Sequence, residues 1–125
     1  MTVMRGSGIV TTRLESCLVV TFGEEAPEPT LEEVSRVTLE ALHARRASAV
    51  LFDLTALVIL DREEFRRLRA IGEMTQVLGA APMFVGLRPG LVQYLVESDA
   101  PTEGLRAAPT LERALAIVRD AEVES

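Results

Sequence analysis

The side chains that could do chemistry are few. The chain has one His (His43) and one Cys (Cys17), and every basic residue is Arg. Without Lys there is no Schiff-base amine and no phosphate-loop lysine. One His and one Cys cannot build a structural zinc site, which as a rule takes four Cys/His ligands. A single Cys also excludes an internal disulfide framework and fits a reducing compartment. His43 falls near the end of a helical segment, where a cation suits the negative end of the dipole. Cys17 opens an apolar strand-like run and reads as a buried, inert thiol. Glu63-Glu64 is a carboxylate pair, but adjacent helical positions diverge by about 100°. Gly6-Ser7-Gly8 precedes a strand pattern rather than a helix, so it is no dinucleotide fingerprint. No catalytic, metal or cofactor constellation emerges, and the chain is expected not to be an enzyme.

A second group is defined by position rather than reactivity. Asp53, Thr55, Asp61 and Arg62 follow one apolar run, and Arg88 follows the next. If both runs are parallel strands, the segments leaving their C-terminal ends lie together, where open α/β sheets place ligands or partners. Thr55, Asp61, Arg62, Glu63 and Arg88 are the candidate partner-binding residues.

The elements that must position them can be read along the chain. Residues 1–8 read as a loose start. Ile9 to Leu14 and Cys17 to Phe22 are two strands around a Glu15-Ser16 turn. Gly23 to Pro29 is a loop. Thr30 opens a helix with Glu33 completing a capping box, and that helix ends near Ala44. Ala49 to Phe52 is apolar throughout, as in a parallel strand buried on both faces. Leu54 to Leu60 is an apolar connection expected to pack down. Asp61 and Glu64 form a second capping box. Phe65, Leu68, Ile71, Met74 and Leu78 then predict one apolar helix face, closed by Gly79. Pro82 to Leu87 is a strand. Arg88-Pro89 starts a third helix, with Leu91, Val92, Leu95 and Val96 on one face. Gly104 to Ala108 is a short edge strand. Thr110 caps a last helix with a Leu111, Ala114, Leu115, Val118 stripe, and the tail from Asp120 frays.

The order is ββαβαβαβα, an α/β fold with a mixed sheet, in a single domain over residues 1–125 with its core at about 8–120. Charge narrows the partners. Residues 1–60 carry five basic and eight acidic side chains, and residues 61–125 carry eight and eleven. The net charge of −6 is therefore spread evenly, with no cationic arm for nucleic acid. No apolar run approaches the ~18 residues that span a bilayer, and no secretory signal is evident.

At this point the residues resemble a family. Leu51-Phe52-Asp53-Leu54-Thr55 followed by Val58-Ile59-Leu60-Asp61 resembles the central signature of STAS domains, named for sulfate transporters and anti-sigma factor antagonists. Met74 to Ala80 extends the likeness. Val85-Gly86-Leu87-Arg88-Pro89 is similar to the Gly-x-Arg-Pro segment of stressosome scaffolds of the RsbS type. The resemblance implies a mixed sheet with helices packed on one side. It also implies a noncatalytic, cytoplasmic regulatory module without a cofactor. Its partners would be a switch kinase, an anti-sigma factor or stressosome STAS proteins, with homo-oligomers possible. The family's phosphoacceptor is usually a Ser or Thr directly after the helix-opening Asp, and here that position is Arg62. The alternative function is a small-ligand module for a nucleotide or lipid. An open apolar cavity would favour that alternative, and a flat exposed face around Arg62 and Arg88 would favour protein recognition.

Overall fold

The structure, a computed structural model, describes residues 2, 3, 8–98 and 104–124. Two short antiparallel strands form a hairpin early in the chain. β2 (Val10–Leu14) and β3 (Cys17–Thr21) pair so that Leu14 faces Cys17 across the two-residue turn. Glu15 turns there with φ 55°. An additional strand, β1 (Thr2–Val3), pairs antiparallel with Val10 and Thr11 where a loose start was expected. β4 (Ala49–Asp53), β5 (Ala81–Val85) and β6 (Ala107–Ala108) then extend the sheet in parallel, in the order β1-β2-β3-β4-β5-β6. β5 ends earlier than expected, because Gly86 turns the chain with φ +80°. Pro82 is tolerated inside β5 because β6 pairs only with Phe84 and Val85 and leaves the edge at Pro82 free.

α1 (Glu28–Ala44), α2 (Arg62–Val77) and α3 (Pro89–Glu97) connect the parallel strands. Each crossover steps the same way across the sheet. With the usual right-handed connection, all three must lie on one face. Leu31, Val34, Phe65, Leu68 and Leu95 accordingly share a core with Leu18, Val20, Val50, Phe52 and Phe84. α4 (Leu111–Glu124) follows the last strand and crosses nothing, so no such rule binds it. It packs Ala114 and Val118 on the opposite face, against Cys17, Val19, Leu51, Met83 and Val85. The mixed α/β sheet is thus as expected, while α4 departs from the placement of helices on one side. Both faces of β4 are covered, as its unbroken apolar run requires.

Two boundaries and one helix face also differ. α1 begins at Glu28 rather than Thr30, with Pro27 at its N-cap and no side-chain cap bond. Pro29 occupies the first turn, where its fixed φ fits and its missing N–H costs nothing, and Thr30 is buried inside the helix. α4 stays helical to Glu124 instead of fraying from Asp120, and the Ser16 hydroxyl donates to Glu122 across the fold. Met74 in α2 and Leu78 at its C-cap are exposed. Nine residues at 100° each carry Met74 to about 180° from Phe65, so Gly72 and Thr75 complete the buried face instead.

Candidate functional site

The C-terminal ends of β3, β4 and β5 are where the candidate residues converge. β4 ends on Asp53, whose Oδ1 accepts from the Thr55 amide at 3.0 Å and the Thr55 hydroxyl at 2.5 Å. This local turn starts the 54–60 segment. Leu54, Leu57 and Leu60 are buried, so the segment packs down as expected, but Val58 and Ile59 stand exposed. The segment is tied on both flanks. Leu54 N–H donates to the Val85 carbonyl and Val58 N–H to the Glu24 carbonyl, each at 2.8 Å.

Arg88 closes this arrangement from β5. Its Nη2 donates to the Thr55 carbonyl at 3.3 Å and the Leu57 carbonyl at 3.2 Å. A guanidinium suits this task because its planar fork presents several donors at once. Gly86 makes the approach possible. A Cβ there would run into the Thr55 hydroxyl and come within 2.9 Å of the Thr55 Cα, and its φ of +80° already excludes most side chains. Arg88 also serves as N-cap residue of α3, ahead of Pro89.

Asp61 does what its position predicts. Its Oδ1 accepts from the Glu64 amide at 2.7 Å, and the Asp61 amide donates to Glu64 Oε1 at 3.0 Å. Arg62 is the first residue of α2, and its Nη1 donates to the Ser98 carbonyl at 3.4 Å. It thereby ties the start of α2 to the end of α3. Glu63 is held by Arg66 at 2.6 Å, and that hydrogen bond, more than any other contact, draws its carboxyl below the usual carboxylate range.

An open groove of about 470 Å³ runs through this end. One wall is residues 57–61, and the other is Arg88, Gly90, Leu91 and Tyr94. Of the five candidate residues, Asp61 and Arg88 line it. Thr55 is joined to it through Arg88, while Arg62 and Glu63 lie outside its lining and are engaged with Ser98 and Arg66. Val58 and Ile59, although within the STAS-like signature, and Tyr94 were not among the candidate partner-binding residues. The signal available was the i, i+3 relation of Leu91 and Tyr94 on a helix that opens with Pro.

The other singled-out residues lie elsewhere. His43 is exposed in the last turn of α1. The end of that helix is capped by Arg13, which donates to the carbonyls of Ala41, Arg45 and Arg46 at 2.6, 2.7 and 3.0 Å. Cys17 is buried, and its burial pushes the thiol above its ordinary range.

No protein-family model matches the chain, and no curated protein matches it. Solved structures do. A serine-to-glutamate variant of RsbS from Moorella thermoacetica superposes with a TM-score of 0.79 at 19% identity, covering 93% of this chain and 98% of that one. A chain from the molecular architecture of the stressosome, described as a signal integration and transduction hub, gives 0.78 at 18% identity, covering 90% and 98%. The anti-sigma factor antagonist SpoIIAA in its unphosphorylated form gives 0.67 at 12% identity, covering 89% and 97%. No helix among the described residues is long and apolar enough to cross a membrane. The sheet order, the capped Asp61 junction and these likenesses together identify the fold of this chain as that of STAS domains.

Proposed function

We propose that the chain is a noncatalytic regulatory module that acts through protein contacts, of the kind found in anti-sigma factor antagonists and stressosome scaffolds. The observation that carries this reading is the Val58-Ile59 tip. Two exposed apolar side chains are held beside Asp61 and Arg88 by hydrogen bonds to the Glu24 loop and from Arg88. Pre-ordering such a surface lowers the entropy lost on binding. Partners of the proposed kind are a switch kinase, an anti-sigma factor or related STAS domains.

The usual phosphoswitch is proposed to be absent. Arg62 carries no hydroxyl at the position after the capping Asp, and it supplies a positive charge where a phosphorylated Ser would supply about −1.5 to −2. A cation at a helix N-terminus costs roughly 0.3–1 kcal/mol. The Ser98 carbonyl, at the end of α3, offsets part of that cost for Arg62. Thr75 is no substitute acceptor, because it is fully buried and its hydroxyl donates to the Gly72 carbonyl at 2.7 Å. The test is to incubate wild type and Arg62→Ser with the cognate switch kinase and ATP and to map phosphate by mass spectrometry. Arg62→Ser is expected to gain phosphate at position 62 while wild type stays unmodified. Phosphate on wild-type Thr55, coupled to partner release, would overturn the reading.

A second reading draws on the groove itself. Its volume and its mixture of Leu57, Leu60 and Leu91 with Asp61 and Arg88 suit a small amphipathic ligand such as a nucleotide or lipid. Saturable binding of ATP or a short-chain lipid, abolished by Leu91→Trp, would favour it.

A further inference from the structure

The two ends of the sheet carry matching features of opposite sign. Where β3 and β4 finish, Val58 and Ile59 are 57% and 59% exposed. Glu24 and Glu25 stand exposed beside them, joined by the Val58–Glu24 hydrogen bond and the Glu25–Ile59 bridge. Where β4 and β5 begin, Val77 and Leu78 are 85% and 55% exposed. Gly79, next to them, lines an open groove of about 560 Å³ together with Arg45 and Arg46, both exposed. None of these four charged side chains has an ion pair among the described residues. Arg45 and Arg46 are not needed to neutralise the end of α1, because Arg13 already donates to the carbonyls of Ala41 in its last turn, of its C-cap Arg45 and of Arg46 just beyond.

We propose that copies of this chain associate head to tail. The Glu24, Glu25, Val58 and Ile59 end of one copy seats on the Arg45, Arg46, Val77 and Leu78 end of the next. The occupant is another copy because the unpaired charges of the two ends match, Glu24 and Glu25 against Arg45 and Arg46, and each end adds an exposed apolar pair; Glu15, which also lines the basic groove, is already held by Arg119. With a net charge of −6, copies repel at long range, so attraction must come from such a local match. The contact is heterologous, so it closes into a ring or continues as a row. It deepens the proposed function by giving the partner end a competing occupant. Because its test uses this chain alone, its failure leaves the partner reading standing.

The experiment is sedimentation velocity over a range of protein concentrations, at about 0.05 M and about 0.5 M salt. Wild type is expected to grow in mass with concentration and to dissociate at the higher salt. Arg45→Glu/Arg46→Glu makes both ends acidic, and Glu24→Arg/Glu25→Arg makes both ends basic. Each double variant alone is expected to associate at least about a hundredfold more weakly, since like charges then face each other. An equimolar mixture is expected to regain association, because both contacts become complementary again. All four positions are exposed, and a cooperative thermal transition checks that each variant is folded. A wild type that stays monomeric at high concentration and low salt would overturn the proposal. So would association unaffected by either double variant, or variants that lose association and do not recover it when mixed.

Discussion

The two faces of the sheet are built from the same strands and are packed very differently. On one face, Phe52 and Phe84 stack with ring centroids 5.4 Å apart, and Phe65 from α2 tilts against Phe84 at 6.2 Å. Three helices cover that side. On the other face, α4 alone covers Cys17, Leu51 and Met83, and an open groove of about 330 Å³ remains beside Val118. Strand alternation divides the side chains between the faces without deciding how well each is covered. Crossover helices are obliged to cover one face, and a terminal helix covers the other only as far as its own apolar stripe allows.

Substitutions can break or sharpen that comparison. The largest effect is expected from Phe52→Ala, which removes a fully buried ring from the better-packed face and costs about 3–5 kcal/mol in urea unfolding. Val118→Ala, on the face of α4, is expected to cost only about 1–2 kcal/mol, because the open groove lets its surroundings relax. Equal losses at the two sites would mean that α4 packs as tightly as the crossover helices. A smaller change of opposite sign is expected at Thr38. Its hydroxyl is buried in α1 and has no hydrogen-bond partner among the described residues. Thr38→Val should therefore raise stability, by up to about 1 kcal/mol, and a lowered melting temperature would show that the hydroxyl is satisfied.

The smallest effect belongs to Cys17 on the α4 face. Its pKa is raised in the folded state, first of all by burial. The folded state therefore favours the neutral thiol. Its contribution is complete below the ordinary thiol pKa and declines as pH rises from there toward the raised value. Wild type should lose slightly more stability than Cys17→Ala over that alkaline window. Thiol labelling of folded wild type should be slow and should accelerate in sub-denaturing urea. Rapid labelling in the absence of urea would mean that α4 covers its face only loosely.

Much of the candidate site was legible in the sequence where the physics is local. Asp61 and Glu64 form a capping box because a cap acts within four residues. Pro89 starts α3 and Gly79 ends α2 for equally local reasons. Thr110 likewise accepts from the Arg113 amide at 3.1 Å. The same local rules misplace the start of α1, since Thr30 and Glu33 match a capping box that the preceding prolines pre-empt. Counting in threes misled along α2, where each step drifts by about 60° from the true helical period and leaves Met74 in solvent.

What the sequence by itself determined is the set of elements from β2 onward, their order and the end of the sheet where the candidate residues gather. These follow from hydrophobic period, capping chemistry and the C-terminal ends of parallel strands. Only the tertiary structure decided which residues of that end stand exposed and which are tied to distant carbonyls. Arg88 is drawn to carbonyls 31 and 33 residues away, and Arg62 to one 36 residues away, so neither is the free cation that its position in the chain implies. Val58 and Ile59 come to the fore because Leu57 and Leu60 on either side are buried. The side taken by α4 and the capping of α1 by Arg13 are likewise contacts between distant segments. Such contacts depend on how the crossovers stack, and no window of neighbouring residues contains that information.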